Sequence, residues 1–195
     1  MTTSDQPVTV LLISGSTRPG STNTAALRTA AELETPGVVA TLWERLRDIP
    51  AFVPEDPAEA PAAVTELQRL LTEADAVLFC TPEYAGTLPG SLKNAIDWLV
   101  GSGELYRKPV AWTNVAAPGR GTGAEATLSS VLGYVDADII EQACLRIPIA
   151  RNMIADDGTV ADPDIRSRLA AQLTAVAGHV RPTPSSARAQ QKAWP

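Results

Sequence analysis

Short apolar runs alternate with amphipathic segments along most of the chain, and this alternation constrains the fold more than any other feature. Residues 8–14 and 76–81 form largely apolar runs, which are typical of strands buried on both faces of a sheet. Residues 62–73 instead repeat their apolar residues at helical spacing. Because parallel strands are joined by crossover helices, this pattern predicts one five-stranded parallel sheet covered by helices on both faces.

The predicted elements follow one another without a break that would separate two domains, and the sequence contains no internal repeat. We therefore expect residues 1–180 to form a single domain and residues 181–195, rich in Pro, Ser, Ala, Arg and Gln, to form a disordered tail. The predicted strands are 8–14, 38–43, 76–81, 109–114 and either 139–140 or 145–149, and the predicted helices are 21–33, 62–73, 90–100, 122–134 and 164–180.

Composition excludes several classes of function. The chain has 195 residues, 45% of them hydrophobic, and a formal net charge of −6 without a basic stripe, so nucleic acid is not an expected partner. No signal-peptide pattern is present, and no apolar run approaches the roughly 18 residues of a membrane helix. Cys80 and Cys144 lie in separate apolar stretches and are expected to be reduced and buried. These features together predict a cytoplasmic protein without a membrane partner.

The loop after the first strand has the composition of a phosphate-binding loop. Gly15 and Gly20 have the separation of the glycines in a nucleoside-triphosphate loop, but Ser21 stands where that motif needs a lysine. The loop opens a predicted helix, whose unpaired N–H groups and dipole favour an anion. We therefore expect it to hold one terminal phosphate, although a plain Ser/Gly-rich turn with a helix N-cap is the alternative.

Two further loops follow the third and fourth predicted strands. In residues 81–90, a Pro-Glu-Tyr turn offers an aromatic face and backbone amides that suit a planar ring, although Tyr84 could simply pack locally and Glu83 could be a solvated acid. In residues 114–123, three glycines at alternate positions expose backbone N–H groups, although the segment could also be a flexible connector. Because ligands bind at the carboxyl ends of parallel strands, we expect the three loops to form one site.

The chain is poor in residues for nucleophilic or metal chemistry. His179 is the one histidine, and it lies in the last predicted helix, far in sequence from the three loops. A Ser-His-Asp or Cys-His mechanism is therefore not expected. The sequence also has no cluster of His and Cys residues with metal-ligand spacing, so we predict no metal site and no catalytic side chain.

Four segments of the chain resemble the NADPH-dependent FMN reductase family, which includes quinone, azo-dye and chromate reductases. The resemblance spans roughly residues 8–180 and implies a flavodoxin-like, three-layer α/β fold with a five-stranded parallel sheet in the order 2-1-3-4-5. The Pro-Glu-Tyr segment followed by Leu-Lys-Asn-Ala-Ile-Asp-Trp is the most family-specific part. The matching segments are 15–23, 46–50 with 54–56 behind it, 74–77 leading into 81–84, and 92–98.

The resemblance also implies FMN as the bound cofactor and NADPH or NADH as the electron donor. The first loop would hold the FMN phosphate, the second would lie along the flavin ring, and the third would close over the ring's other edge. Two positions depart from the family pattern, because residue 85 is alanine where asparagine is usual and the third loop lacks a Gly-Gly-rich start. The matching residues are Ser16, Arg18, Ser21, Thr22 and Asn23 for the phosphate, Pro82, Glu83, Tyr84, Ala85 and Gly86 along the ring, and Ala117, Pro118, Gly119, Arg120 and Gly121 over its other edge.

The activity implied by the resemblance is hydride transfer from NAD(P)H to FMN, followed by transfer of electrons to a quinone, free flavin or similar small acceptor. The cofactor carries this chemistry, so Glu83 and Tyr84 are expected only to tune the flavin. Arg120 is a candidate for attracting the NADPH phosphate, or else a solvent-exposed arginine. A flavodoxin-like electron-transfer protein and a non-catalytic FMN-binding module are the alternatives. The helix over residues 92–98 suggests a homodimer or homotetramer, although its apolar face could be plain core.

Overall fold

The computed structural model describes residues 6–54 and 60–181, and these residues contain the predicted parallel sheet. Its strand order is β2-β1-β3-β4-β5, and every pairing is parallel. A sixth strand also pairs with β4. The predicted order 2-1-3-4-5 is therefore confirmed. The strands are β1 (Val8–Ser14), β2 (Val38–Trp43), β3 (Ala76–Cys80), β4 (Pro109–Asn114), β5 (Asp138–Ile139) and β6 (Leu145–Arg146).

The helices cover both faces of the sheet. Residues of α1 and α5 share one apolar cluster with one side of the strands, and residues of α2, α3 and α4 share a second cluster on the other side. β3 is buried at every position, as its continuous apolar run predicted. The helices are α1 (Thr22–Glu32), α2 (Ala62–Glu73), α3 (Gly90–Val100), α4 (Thr122–Tyr134) and α5 (Pro163–Val180).

The last part of the sheet differs from the prediction of a single fifth strand. Both alternative segments pair with β4, but each pairs over two residues, and a short 3₁₀ turn at Glu141–Ala143 separates them. Gln172 of α5 holds this broken edge in place. Its side-chain amide donates to the carbonyl oxygens of Trp112 at 3.1 Å and Ala143 at 2.7 Å, and its oxygen accepts from Thr113 at 2.7 Å.

Helix starts differ from prediction by single residues because of capping. Ser21 is the N-cap of α1, so the helix begins at Thr22. Asp162 caps α5 by accepting from the backbone N–H groups of Asp164 and Ile165, and Pro163 occupies the first helical position. Proline is favoured there because its missing N–H would have no helical partner.

Residues 182–195 lie outside the described residues, so the predicted disorder of that segment stays a prediction. Arg181, the first residue of the predicted tail, donates through Nη2 to the carbonyl oxygen of Gly37 at 2.9 Å. Within residues 6–54 and 60–181, none of the helices has the length and apolar character needed to cross a membrane.

Candidate functional site

Three loops meet at the carboxyl ends of β1, β3 and β4 and form the candidate site. They are the β1–α1 loop (residues 15–21), the β3–α3 loop (residues 81–89) and the β4–α4 loop (residues 115–121). Because β2 and β3 lie on opposite sides of β1, this edge is the topological switch point, where ligands bind in such sheets. The three loops enclose a central cavity of about 300 Å³. Its lining residues are Ser16, Arg18, Ser21, Thr22, Asn23, Thr81, Pro82, Glu83, Tyr84, Val115, Ala116, Arg120 and Gly121.

The β1–α1 loop ends in a rigid helix cap. Buried Ser21 accepts through Oγ from the backbone N–H of Asn23 at 3.2 Å and from its side-chain amide at 3.3 Å. The amide oxygen of Asn23 in turn accepts from the Cys80 thiol at 3.3 Å. The Asn23 side chain is therefore occupied within the protein and fixes the loop. The hydroxyl proton of Ser21 and the loop's backbone N–H groups are the donors best placed for a ligand.

Close packing joins the first two loops. The backbone N–H of Gly15 donates to the carbonyl oxygen of Cys80 at 2.9 Å. A Cβ atom at Gly15 would collide with the Thr81 side chain, and glycine is therefore required for this approach. The β1–α1 and β3–α3 loops are consequently held side by side.

The tip of the β3–α3 loop is a two-residue turn between Tyr84 and Thr87. The backbone N–H of each of these residues donates to the carbonyl oxygen of the other, at 2.9 and 3.1 Å. The two central residues, Ala85 and Gly86, have φ values of 50° and 78°. Positive φ at both central positions is the pattern of a type I′ turn, which favours Asn-Gly over Ala-Gly. Alanine at position 85 therefore differs from the residue type that this turn favours.

Glu83 ties the β3–α3 loop to the start of α4. Its carboxylate oxygen Oε2 accepts from the backbone N–H groups of Gly123 at 2.7 Å and Ala124 at 3.2 Å. Both donors lie in the first turn of α4, where the helix dipole stabilises a negative charge. A Cβ atom at position 123 would collide with the carbonyl oxygen of Gly86. Glu83 therefore acts as a helix cap between two walls of the cavity, a contact that the sequence did not indicate.

Asn114, the last residue of β4, organises the β4–α4 loop. It is buried, its side-chain oxygen accepts from the Ala116 N–H at 2.9 Å, and its amide donates to the Arg120 carbonyl oxygen at 3.4 Å. Gly121 has a φ of 81°, and a Cβ atom there would lie 2.5 Å from the Asn114 side chain. Pro118 and Gly119, with φ of 78° at Gly119, occupy the centre of a turn closed by the Arg120 N–H. The sequence Pro-Gly with that φ is typical of a type II turn.

The structure brings ten of the fifteen predicted site residues into the central cavity. The other five, Ala85, Gly86, Ala117, Pro118 and Gly119, lie in the same loops but are exposed beyond the cavity lining. Three further lining residues, Thr81, Val115 and Ala116, were not among the fifteen. Thr81 and Val115 could have been found from their position, because each is the first residue after a strand that ends at the site, and Ala116 directly follows Val115.

The thiols and the histidine are unsuited to chemistry in this cavity. Burial raises the pKa of the Cys80 thiol well above its usual range. The prediction of burial is confirmed for Cys80, whereas Cys144 is only partly buried, and this partial burial still raises the pKa of Cys144 to about 11. His179 pairs through Nε2 with Asp138 at 2.7 Å, at the beginning of β5 and therefore at the opposite end of the sheet from the three loops. Any redox chemistry at the site must therefore come from a bound group.

Comparison with known proteins identifies the family. The family model described as NADPH-dependent FMN reductase matches residues 8–151. An NAD(P)H-dependent FMN reductase of Pseudomonas aeruginosa is 35% identical over 178 residues, which cover 89% of this chain and 96% of the relative. A quinone reductase of Escherichia coli K12 is 31% identical over 172 residues, which cover 85% of this chain and 92% of the relative.

A solved structure agrees with this relationship. The flavoenzyme NAD(P)H:(acceptor) oxidoreductase FerB of Paracoccus denitrificans superposes with a TM-score of 0.73 and 29% sequence identity, covering 89% of this chain and 97% of FerB. The family-model match over residues 8–151 includes all strands of the sheet and the three loops. The chain therefore belongs to the NADPH-dependent FMN reductase family of flavodoxin-like proteins, whose members use FMN and NAD(P)H.

Proposed function

We propose that the chain is an FMN-dependent oxidoreductase that takes hydride from NADPH or NADH and delivers electrons to a quinone or a similar small acceptor. The observation that carries this proposal is the central cavity at the switch point, built from a capped glycine-containing loop and two further loops. Relatives named NAD(P)H-dependent FMN reductase and quinone reductase, matched over most of their length, support the same conclusion.

The β1–α1 loop fits the FMN phosphate. Ser16, Arg18, Ser21 and Thr22 line the central cavity next to the N-terminus of α1. We assign phosphate binding to the N–H groups and hydroxyls of this loop and to the Arg18 guanidinium, because an anion is stabilised there by the helix dipole and by charge-assisted hydrogen bonds. Asn23 belongs to the same set, but it acts by fixing Ser21.

The other two loops fit a planar ring. Pro82, Glu83 and Tyr84 line one wall, and Val115, Ala116, Arg120 and Gly121 line the facing part of the cavity. Half of Tyr84 is exposed, so an aromatic face is available beside the opening. We assign Ala85 and Gly86 to the rim of the first wall and Ala117, Pro118 and Gly119 to the rim of the second.

When bound, FMN supplies the exchange of electrons between the nicotinamide donor and the acceptor. The protein's part is to bind the phosphate, to orient the ring between the two walls and to leave one side open to small molecules. Glu83 aligns the two walls through its contact with the start of α4. Backbone N–H groups of the β4–α4 loop would donate hydrogen bonds to the polar edge of the bound ring. Because the nicotinamide donor would deliver a hydride, no side chain of the site would need to supply a proton for that transfer.

Steady-state turnover tests this proposal. In the absence of oxygen, purified protein reconstituted with FMN is expected to turn over NADPH or NADH only when a soluble benzoquinone or free flavin is added as acceptor. Protein treated identically without FMN is the control, and it should show no turnover with the benzoquinone. FMN-loaded protein that oxidises neither donor with any of these acceptors would contradict the reductase assignment and favour an electron-transfer protein or a binding module.

We also propose that residues 1–180 are one FMN-binding domain that works in the cytoplasm as a homodimer or homotetramer. An apolar patch beside α3 supports the assembly. Phe52 and Val53 are partly exposed, and Phe52 packs edge-to-face on Trp98 at 5.1 Å. Asn94 and Trp98 both donate to the Pro50 carbonyl oxygen, which holds the patch in place.

Light scattering of the wild-type protein should give a mass of at least a dimer. Val53→Glu should lower this mass, because it places a charge in the apolar patch. A wild-type protein with the mass of a monomer would refute the assembly.

A further inference from the structure

A second cavity lies beside the central one, and the proposed flavin site does not account for it. This side cavity has a volume of about 380 Å³, within the range of small-molecule pockets. It is bounded by the β1–α1 loop, the flank of α1, the residues after β2, and Ile154 with Gly158. Ser16, Arg18 and Ser21 line both cavities, so the β1–α1 loop is their common wall.

The side cavity concentrates positive charge. Arg18, Arg28 and Arg47 line it together with one acid, Glu44, which leaves two positive charges in excess. The whole chain has a formal net charge of −6, so this local excess opposes the overall balance. An anionic ligand would therefore be attracted to this cavity by the lining residues and not by the field of the whole protein.

Two of the three arginines are held in fixed positions. Arg28 pairs through Nη2 with Glu44 at 2.5 Å and donates through Nη1 to the Gly158 carbonyl oxygen at 3.4 Å. Arg47 donates to the carbonyl oxygen of Thr17 in the β1–α1 loop. Each guanidinium has five N–H donors, so both retain donors after these contacts. Among the described residues, the Arg18 guanidinium makes no hydrogen bond or ion pair.

The remaining lining residues suit a nucleoside. Ser14 and Thr24, which share a 2.8 Å hydrogen bond, bring hydroxyl groups to the cavity, and Leu46 and Ile154 bring apolar surface. A sugar can hydrogen-bond to hydroxyls, a base can lie against apolar side chains, and a phosphate monoester carries the charge of −1.5 to −2 that an arginine cluster complements.

We propose that the side cavity binds the adenosine end of the nicotinamide donor, with Arg28 and Arg47 on its 2′-phosphate. This inference rests on the proposed function, because it assumes that the donor's nicotinamide reaches the ring in the central cavity. Arg18, on the common wall, separates the FMN phosphate from the donor's phosphates and screens their repulsion. The arrangement predicts that the protein prefers NADPH to NADH.

Calorimetric titration with donor fragments tests the inference without turnover. Adenosine 2′,5′-bisphosphate should bind the FMN-loaded protein at least tenfold more tightly than adenosine 5′-monophosphate, because the latter lacks the 2′-phosphate. The same titration on flavin-free protein reports on the side cavity even if no flavin is retained. Failure of the proposed function is thereby distinguished from failure of this inference. Inorganic phosphate is the third probe.

Arg28→Met removes the guanidinium and keeps an apolar stem, and it should lower the affinity for the bisphosphate about tenfold or more while leaving the monophosphate affinity unchanged. In Arg28→Met, Glu44 loses its ion-pair partner. The double variant Arg28→Met with Glu44→Gln also removes that charge, and it should show the same loss of affinity for the bisphosphate. Arg69→Met is the matched control, because Arg69 is also in a surface ion pair, with Glu73 at 2.6 Å on α2, and lines neither cavity. Thermal melting confirms that each variant is folded.

Four results would overturn the inference. The first is equal affinity for the bisphosphate and the monophosphate, and the second is a bisphosphate affinity that Arg28→Met leaves unchanged. The third is loss of the 2′-phosphate preference in Arg120→Met but not in Arg28→Met, which would move the phosphate to the β4–α4 loop. Competition by inorganic phosphate at the same concentration as the bisphosphate would likewise exclude a nucleotide site.

Discussion

Ala85 holds a backbone conformation that alanine adopts at a cost. Its φ of 50° lies in the left-handed region, where the Cβ atom approaches the carbonyl oxygen and only glycine and asparagine are common. We expect Ala85→Asn to raise the free energy of unfolding by about 0.5–1 kcal/mol, measured by urea denaturation. Ala161→Asn, at an exposed loop position without positive φ, is the control and should change it little. Equal effects of the two substitutions would contradict the turn assignment.

Arg18 provides a second test at this scale, because it is an exposed cation on the lining of the proposed FMN site. Arg18→Ala should weaken FMN binding by about 1.5–3 kcal/mol, since a charge-assisted contact to phosphate is lost. Fluorescence titration of the flavin-free protein measures this, and Arg69→Ala serves as the control. An Arg18→Ala protein that binds FMN as tightly as the wild type would refute this role.

The cysteines should be nearly inert at neutral pH. Burial raises the pKa of Cys144 to about 11, so only a very small fraction of this thiol is ionised at pH 8. A disulfide reagent should therefore modify the native protein about 100-fold more slowly than free cysteine. The rate should rise about tenfold per pH unit between pH 8 and 10, because the pKa of Cys144 lies above that range and the ionised fraction of the thiol grows tenfold per unit. A rate at pH 8 close to that of free cysteine would contradict the raised pKa of Cys144 and the burial of Cys80.

At the scale of elements, the contact between Glu83 and α4 is the joint that aligns two walls of the cavity. Glu83→Ala leaves the Gly123 and Ala124 N–H groups without their acceptor, and we expect a loss of about 1–2 kcal/mol in the free energy of unfolding together with weaker FMN binding. Glu83→Gln keeps an acceptor and should lose less of both.

Urea denaturation and FMN titration measure the two effects. Glu73→Ala, which removes an exposed acid from a surface ion pair, is the control and should stay within about 0.5 kcal/mol of the wild type. A Glu83→Ala protein as stable as the wild type would show that the cap contributes nothing to the joint.

Sequence patterns predicted most elements because their signals are local. The apolar runs gave β1 to β4, and the five predicted helices begin within one residue of the observed helix starts. The 3₁₀ turn that divides β5 from β6 is bonded through the Ala143 carbonyl oxygen to Gln172 of α5, which is distant in sequence and therefore left no local signal. The Glu83 cap escaped prediction for the same reason, since its donors lie 40 and 41 residues along the chain.

At the scale of the whole molecule, the strand order places three loops at one switch point. The alternation of strands and helices predicted the parallel sheet, whereas the strand order was implied by the family resemblance. The side cavity was not predicted, because its walls come from α1, the end of β2 and residues near Gly158. Family membership identifies FMN as the cofactor and NAD(P)H as the electron donor. In the proposed function, the molecule is a scaffold that holds this redox cofactor at the carboxyl ends of the strands.

The most direct test of this account is the visible absorption spectrum of the purified, FMN-reconstituted protein before and after anaerobic addition of NADPH. We predict a protein-bound flavin band that bleaches within seconds and returns when a quinone is added. A bound flavin that neither NADPH nor NADH bleaches would contradict the reductase assignment. A protein that retains no flavin after reconstitution would contradict the central claim that the three loops form an FMN site.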